Sequence, residues 1–399
     1  ITITPPIDQN GDYVDFDTPV TYPIIETLNK GESYVVSSQK DRNGTIGTLI
    51  ESNKPVVVNT GGIGSVSQGG DPGGSDGGYD YGIDQIVSAE KTGNEYIFVK
   101  GGGRDSWENV LLIADQNSTT LDINGTSYTD GSGNPIVINE GEFIIIEGDK
   151  YNSNGTMHVK TGKSDDKVFA YQFIGDVWTG GGAPAARQSM IFVPPLDCGA
   201  KGGVNKIAEI NKVGKDMSGG VVSIVTKNVA TLTITDANGA VSLPGASNVL
   251  GTDYVAYVVE DLEGDVLVEG NDELYISYYN FDDASTTGGF YSGFQTNPQV
   301  GASATFSSLG PCIKFDSSGN IKSNVEFTAK NGSAFDGGLE WQIFDETSST
   351  WIGAPGTNTN DKYVPSQEGR YRLKGVLLCK SQEYYSNSVR VNICAGDFD

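Results

Sequence analysis

Apolar and polar residues alternate in short runs along most of this chain, and the runs are separated by turns rich in Gly and Asn. Alternation with a period of two sets one face of a strand on a core and the other in water, so these runs predict strands. Val325-Glu326-Phe327-Thr328-Ala329 is one example. Lys167-Val168-Phe169-Ala170-Tyr171 is of another kind, apolar at nearly every position, as expected of a central strand covered on both faces. Windows with apolar residues at the three-to-four spacing of a helix are scarce.

The runs recur in a fixed order. Thr119-Thr120-Leu121-Asp122-Ile123 is followed by Ile138-Asn139-Glu140-Gly141-Glu142-Phe143-Ile144-Ile145, then Asn154-Gly155-Thr156, then the apolar run from Lys167. Ile1-Thr2-Ile3-Thr4 opens the same course, through Leu28-Asn29-Lys30-Gly31-Glu32-Ser33-Tyr34-Val35 and Asn43-Gly44-Thr45 to Pro55-Val56-Val57-Val58. A looser third pass runs from Thr231-Leu232-Thr233-Ile234 through Gly251-Thr252-Asp253-Tyr254-Val255 to Leu274-Tyr275-Ile276-Ser277-Tyr278. Each pass reads as one supersecondary unit of four or more strands, with Asn-x-Gly-Glu and Asn-Gly-Thr as its turns. The expected fold is all-β: three diverged β-rich repeats packed together, over residues 1–82, 83–200 and 201–308, as a solenoid, barrel or sandwich. A Gly-rich stretch follows each closing run, over 60–82, 175–187 and 282–294. If the copies share a fold, these three loops occupy equivalent positions on a rigid scaffold, which is where binding residues concentrate.

Composition agrees with strands joined by tight turns, with 54 Gly and 34 Tyr and Phe in 399 residues. The formal charge of -25 comes from 51 acidic and 26 basic residues spread through every segment, which argues against a nucleic-acid partner, since phosphate binding needs clustered Lys and Arg. The chain starts at Ile1 without Met and contains no apolar run long enough to span a bilayer, so it reads as a processed chain or an excised fragment with no membrane insertion. Cys198, Cys312, Cys379 and Cys394 lack metal-ligand spacing and predict two disulfides in an oxidising compartment, with three connectivities open.

Tyr81-Gly82-Ile83-Asp84-Gln85-Ile86-Val87, running to Lys91-x-Gly93-Asn94-Glu95-Tyr96-Ile97-Phe98-Val99, together with Phe192-Val193-Pro194-Pro195-Leu196-Asp197-Cys198, resembles the IgGFc-binding protein N-terminal domain family over roughly residues 1–300. That family occurs in large bacterial surface proteins, including adhesins that gliding Bacteroidetes export by type IX secretion. The resemblance implies an extracellular, cell-surface or matrix protein with an adhesive role, and it does not carry antibody binding to any residue of this chain. Past Pro311, Trp341 within Leu339-Glu340-Trp341-Gln342-Ile343 and the run Glu368-Gly369-Arg370-Tyr371-Arg372-Leu373 resemble the strand C Trp and the tyrosine corner of an immunoglobulin-like sandwich, giving a fourth domain over 309–396. Leu373 stands where the inter-sheet Cys would be. In such a sandwich the parallel first and last strands imply that Cys312 lies near Cys379. The last residues, 397–399, resemble the entrance to calcium-binding repeats of the thrombospondin type 3 kind, which implies a larger surface protein.

Two groups of residues are candidates for binding. Asp71, Asp76 and Asp80 lie among glycines between 71 and 84, and carboxylates with closely wrapping backbone carbonyls suit Ca2+; the competing reading is a solvated acidic loop. Trp178, Arg187, Phe290, Tyr291 and Phe294 suit stacking on a sugar ring or anchoring a protein partner; the competing reading is that they plug the ends of the β core. Asp84 reads as structural, satisfying backbone donors. Signals for an enzyme are poor: the lone His158 sits in an alternating strand, and Lys100-Gly101-Gly102-Gly103-Arg104 lacks the context of a phosphate loop. Five sequons, at Asn43, Asn117, Asn124, Asn154 and Asn331, read in a bacterial host as turn chemistry. The expectation is a non-catalytic extracellular adhesin or matrix module that binds a glycan or protein through loops, with Ca2+ as a stiffening ion. A passive spacer and a carbohydrate-active enzyme are the alternatives.

Overall fold

The computed structural model describes residues 1–399 except 9–10, 18–20, 39–42, 64–80, 179–184, 213–219, 283–284, 291–298, 305–311, 314, 316, 320–324, 331, 333–334 and 395–399. The protein is all-β: its described elements are strands and short 3-10 turns. It divides into two compact units, the first made of 1–196, 204–269 and 274–293, the second of 197–203, 270–273 and 294–399.

In the first unit, β1 (Thr2–Thr4), β2 (Ile24–Ile25) and β3 (Leu49–Glu51) form a small sheet in the order β2-β1-β3, while β4 (Val58–Ile63) and β5 (Tyr81–Ile86) make a hairpin. Next come β6 (Glu95–Val99), β7 (Val110–Ala114), β8 (Thr119–Ile123), β9 (Thr126–Ser127), β10 (Val137–Ile138), β11 (Phe143–Ile146), β12 (Thr156–Thr161), β13 (Val168–Trp178) and β14 (Ala185–Phe192). They build two sheets, β10-β8-β12-β6 and β11-β7-β13-β14. Tyr96, Phe98, Leu112, Leu121, Met157 and Val168 from both sheets share one buried core, so this segment is a sandwich. The remaining strands of the unit are β15 (Lys201–Ile207), β16 (Gly220–Lys227), β17 (Leu232–Asp236), β18 (Gly239–Val241), β19 (Ser247–Asn248), β20 (Tyr254–Leu262), β21 (Val266–Asp282) and β22 (Ser285–Phe290). Here the long β21 pairs with both β17 and β16, which merges what were two sheets into the order β18-β17-β21-β16-β20-β19.

One turn recurs in all three segments. In Asn29-Lys30-Gly31-Glu32 the Glu32 amide donates to the Asn29 carbonyl at 3.1 Å, and the Glu32 carboxylate accepts from the Asn29 amide at 2.8 Å. The turn Asn139–Glu142 repeats this, with 2.8 Å for each bond. In the third segment Thr252 replaces Glu and its amide donates to the Val249 carbonyl at 3.2 Å. Gly31, Gly141 and Gly251 have φ of 89°, 79° and 76°, a left-handed conformation that Gly adopts without a Cβ penalty. They are spaced 110 residues apart.

The hairpins that carry the Gly-rich stretches are also alike. β4/β5 starts at the pair Val58 and Ile86, β13/β14 at Tyr171 and Phe192, and β21/β22 at Ser277 and Phe290. β14 lies against both β5 and β22.

The second unit contains β23 (Gln299–Ala304), β24 (Cys312–Ile313), β25 (Val325–Lys330), β26 (Leu339–Asp345), β27 (Thr350–Gly353), β28 (Lys362–Tyr363), β29 (Gly369–Leu377), β30 (Gln382–Tyr385) and β31 (Val389–Ile393). Sheets β23-β25-β28 and β24-β31-β29-β26-β27 enclose a core in which Trp341 stacks on Phe327 and Tyr363, with ring centroids 5.5 and 5.9 Å away. The Tyr371 hydroxyl donates to the Gln367 carbonyl at 2.7 Å, four residues upstream, which is a tyrosine corner. β24 and β31 run parallel. These are the features of an immunoglobulin-like sandwich.

The disulfides are Cys198–Cys379 and Cys312–Cys394, not Cys312–Cys379. The register gives the reason. Cys312 pairs with Asn392 at the far end of β31, and that end lies beside the start of β29, where Gly369 pairs with Val391. Cys379 sits in the turn after β29, at its opposite end, and instead reaches Cys198, beside which Lys380 Nζ holds Asp197 Oδ2 at 2.7 Å.

Candidate functional site

The candidate site is built on the three neighbouring hairpins. Asp84 on β5 fixes the first to the second: one carboxylate oxygen accepts from the Phe192 amide on β14 at 2.7 Å and the other from the Gln85 amide at 2.7 Å. Burial pushes this carboxyl above its ordinary value of 3.8, and the two amide donors oppose that rise. The buried Tyr171 phenol is raised as well, chiefly by burial and then by the charge of Asp84. The sequence reading of Asp84 as a residue that satisfies backbone donors agrees with this geometry; its partner, 108 residues away, was not readable from the pattern.

The tips themselves, within 64–80, 179–184 and 283–284, lie outside the described residues, as do Asp71, Asp76 and Asp80 and also Tyr291 and Phe294. Of Trp178, Arg187 and Phe290 the backbone is described. Trp178 pairs with Ala185, and Arg187 with Asp176, so both flank the tip of the second hairpin. Phe290 pairs with Ser277, at the end of β22 away from its turn. The register thus brings Trp178 and Arg187 together and sets Phe290 apart from them. Among the described residues, no three His, Cys, Asp or Glu side chains are grouped to hold a metal ion.

Two features with the look of chemistry have structural uses. Gly101 and Gly103 aim their amides at the buried Glu108 carboxylate, at 2.8 and 2.9 Å, so the glycine loop cradles an anion of its own chain. A glutamate five residues past a Gly-Gly-Gly run is the signal that would have found it. His158 Nε2 lies 2.8 Å from Glu95 Oε1, and the His158 amide donates to Asn124 Oδ1 at 2.9 Å. The His158 hydrogen bond, aided by the Lys160 charge, holds the Glu95 carboxyl below its ordinary 4.5. A depressed carboxyl pKa contributes stability above the unfolded value that is lost as pH falls through the folded value. Glu95→Gln is therefore expected to make the urea midpoint of the first unit less sensitive to pH below about 4.5, as read by urea titrations across that range; an unchanged acid limb would refute the pairing.

A small pocket in the first unit is lined by Ile97, Val99, Gln172, Val193, Ser223 and Tyr275, among others. Gln172 donates to the Val99 carbonyl at 2.6 Å, while Ser223 Oγ is buried without a partner. The lining has no carboxylate or imidazole to move a proton.

No helix among the described residues is long and apolar enough to cross a membrane. The two disulfides fit an oxidising compartment. No curated protein matches the chain. Among solved structures, the full ectodomain (Ig1–Ig3) of mouse nectin-like molecule 4 is similar at 10% identity over 77% of this chain and 97% of that one, with a TM-score of 0.18. The profile of the IgGFc binding protein family matches residues 1–279, well over half of the chain, and the protein belongs to that family.

Proposed function

We propose that this chain is an extracellular, non-catalytic binding module of a surface adhesin or matrix protein, which contacts a glycan or protein ligand through the tips of its three neighbouring hairpins. The observation that carries the reading is that β14 lies against both β5 and β22, so the turns of three hairpins spring from neighbouring strands. Trp178 and Arg187 beside the second tip supply a ring face and a planar cation, a pair suited to sugar rings and to carboxylates. Phe290, Tyr291 and Phe294 are the remaining candidates for contact with the ligand. Asp71, Asp76 and Asp80 in the first tip bind Ca2+ through their carboxylates.

Membership of a family described by binding supports contact over chemistry. The competing reading is a passive spacer. Glycan and protein arrays probed with residues 1–399, in calcium and again in chelator, separate the two. A binding module gives saturable hits that weaken in chelator; a spacer gives none in either buffer.

A further inference from the structure

In the second unit, β29 buries Tyr371 and Leu373 in the core, so strand alternation sets Arg370, Arg372 and Lys374 on the outer face of the sheet. β26 alternates in step, with Gln342 opposite Arg372 and Glu340 opposite Lys374. On β27, Trp351 stands opposite Phe344. Arg370 lies over the Phe344 ring, its guanidinium carbon 4.1 Å from the centroid. The Arg372 guanidinium lies over two rings, 4.4 Å from the centroid of Trp351 and 3.8 Å from that of Tyr385 on β30. Its Nε also donates to Gln342 Oε1 at 2.8 Å. Three contacts from three neighbouring strands therefore hold this planar group in place.

The charges on this face are unequally matched. Lys374 has Glu340 at 2.6 Å and Glu383 at 3.3 Å, and Arg370 has Glu346 at 3.8 Å. Arg372 has no carboxylate within ion-pair distance among the described residues, although acids outnumber bases 51 to 26 in the chain. Its terminal amino groups make no hydrogen bond among the described residues. Partial burial lowers the Arg372 pKa, as expected of a cation drawn out of water. Stacking on rings helps to hold the sheet face together, but it supplies no counter-charge.

We propose that this face docks an acidic segment of a protein partner, one carboxylate of which is taken by the terminal amino groups of Arg372 as a bidentate pair. Charge complementarity sets the sign of the partner, and the rings set its class. Phe344, Trp351 and Tyr385 already carry guanidinium groups, which leaves less ring surface for stacking on a sugar. Aromatic rings and Arg gathered in one patch are the residues in which protein–protein binding energy concentrates. Arg370 and Arg372 stand two residues apart on one strand, about 7 Å, which matches carboxylates at alternate positions of an extended segment. Nothing in this site involves the hairpin tips of the first unit, so either reading can fail without the other.

The test is calorimetry of residues 1–399 with a capped peptide of alternating Glu and Thr, with the same peptide carrying Gln for Glu, and with a polyuronate. The expected result is saturable binding of the Glu peptide and none of the Gln peptide. Arg372→Lys, which keeps the charge and loses the fork, is expected to weaken that binding about tenfold or more. Should this variant lower the urea midpoint of the second unit, Arg370→Gln replaces it with the same weakening expected. No binding of the Glu peptide at about 1 mM, equal binding of the Gln peptide, or binding indifferent to the variants would overturn the proposal. Tighter binding of the polyuronate than of the Glu peptide would also overturn it, because the partner would then be an anionic glycan.

Discussion

Replacing Trp341 by alanine is expected to cost the second unit about 3–5 kcal/mol, the range for removing a large aromatic from a packed core. The indole is fully buried between Phe327 and Tyr363, and its Nε1 donates to the Asn360 carbonyl at 2.9 Å. The variant therefore opens a cavity and leaves a backbone acceptor unpaired. Urea unfolding read separately for the two units should show the loss in the second unit and leave the first near its parent midpoint. Phe344→Ala, on the opposite face of β26, serves as the control for loss of an aromatic without loss of the core.

The second large effect concerns the disulfides. Replacing both Cys312 and Cys394 by serine opens a loop of 82 residues, and release of the unfolded chain from that constraint is expected to cost about 2–5 kcal/mol. Peptide mapping under non-reducing conditions checks the pairing itself. It should join the Cys312 peptide to that of Cys394 and the Cys198 peptide to that of Cys379. A Cys312–Cys379 peptide would contradict the register of β24 on β31.

How far the sequence reached follows from how local each feature is. The turns at Gly31 and Gly141 were readable because a left-handed residue and its Asn and Glu partners lie within four positions. The tyrosine corner was readable for the same reason, since Tyr371 bonds only four residues back. Cysteine pairing was not, because it depends on where β24 meets β31, and a short parallel strand can sit at either end without changing its own pattern. Nor was the union of two sheets through β21, whose 17 residues read as separate runs interrupted by Gly270. In the candidate site, the recurrence of Gly-rich stretches was legible, but the packing of β14 on β5 and β22 is tertiary, and in the third hairpin Gly288 and Gly289 lie on β22 and not in its turn. Composition and loop position group the aromatic set, and the hairpin register separates Phe290 from Trp178 in a way that no local pattern encodes.

The two glycine-rich features illustrate the same limit from the side of chemistry. Lys100–Arg104 lacked the context of a phosphate loop, and its amides are occupied by Glu108. The proposed calcium site at Asp71, Asp76 and Asp80 is addressed by metal titration of the purified chain, independently of any ligand.

The claim on which the functional reading depends is that three tips act as one contact face. It is tested most directly by replacing 64–80, 179–184 and 283–284 with short Gly-Ser turns, singly and together, and measuring affinity for the strongest array ligand. The account predicts that each single replacement weakens binding by about tenfold or more, about 1.4 kcal/mol, and that the triple replacement abolishes it while the urea midpoints hold. Full affinity in the triple replacement would contradict the account.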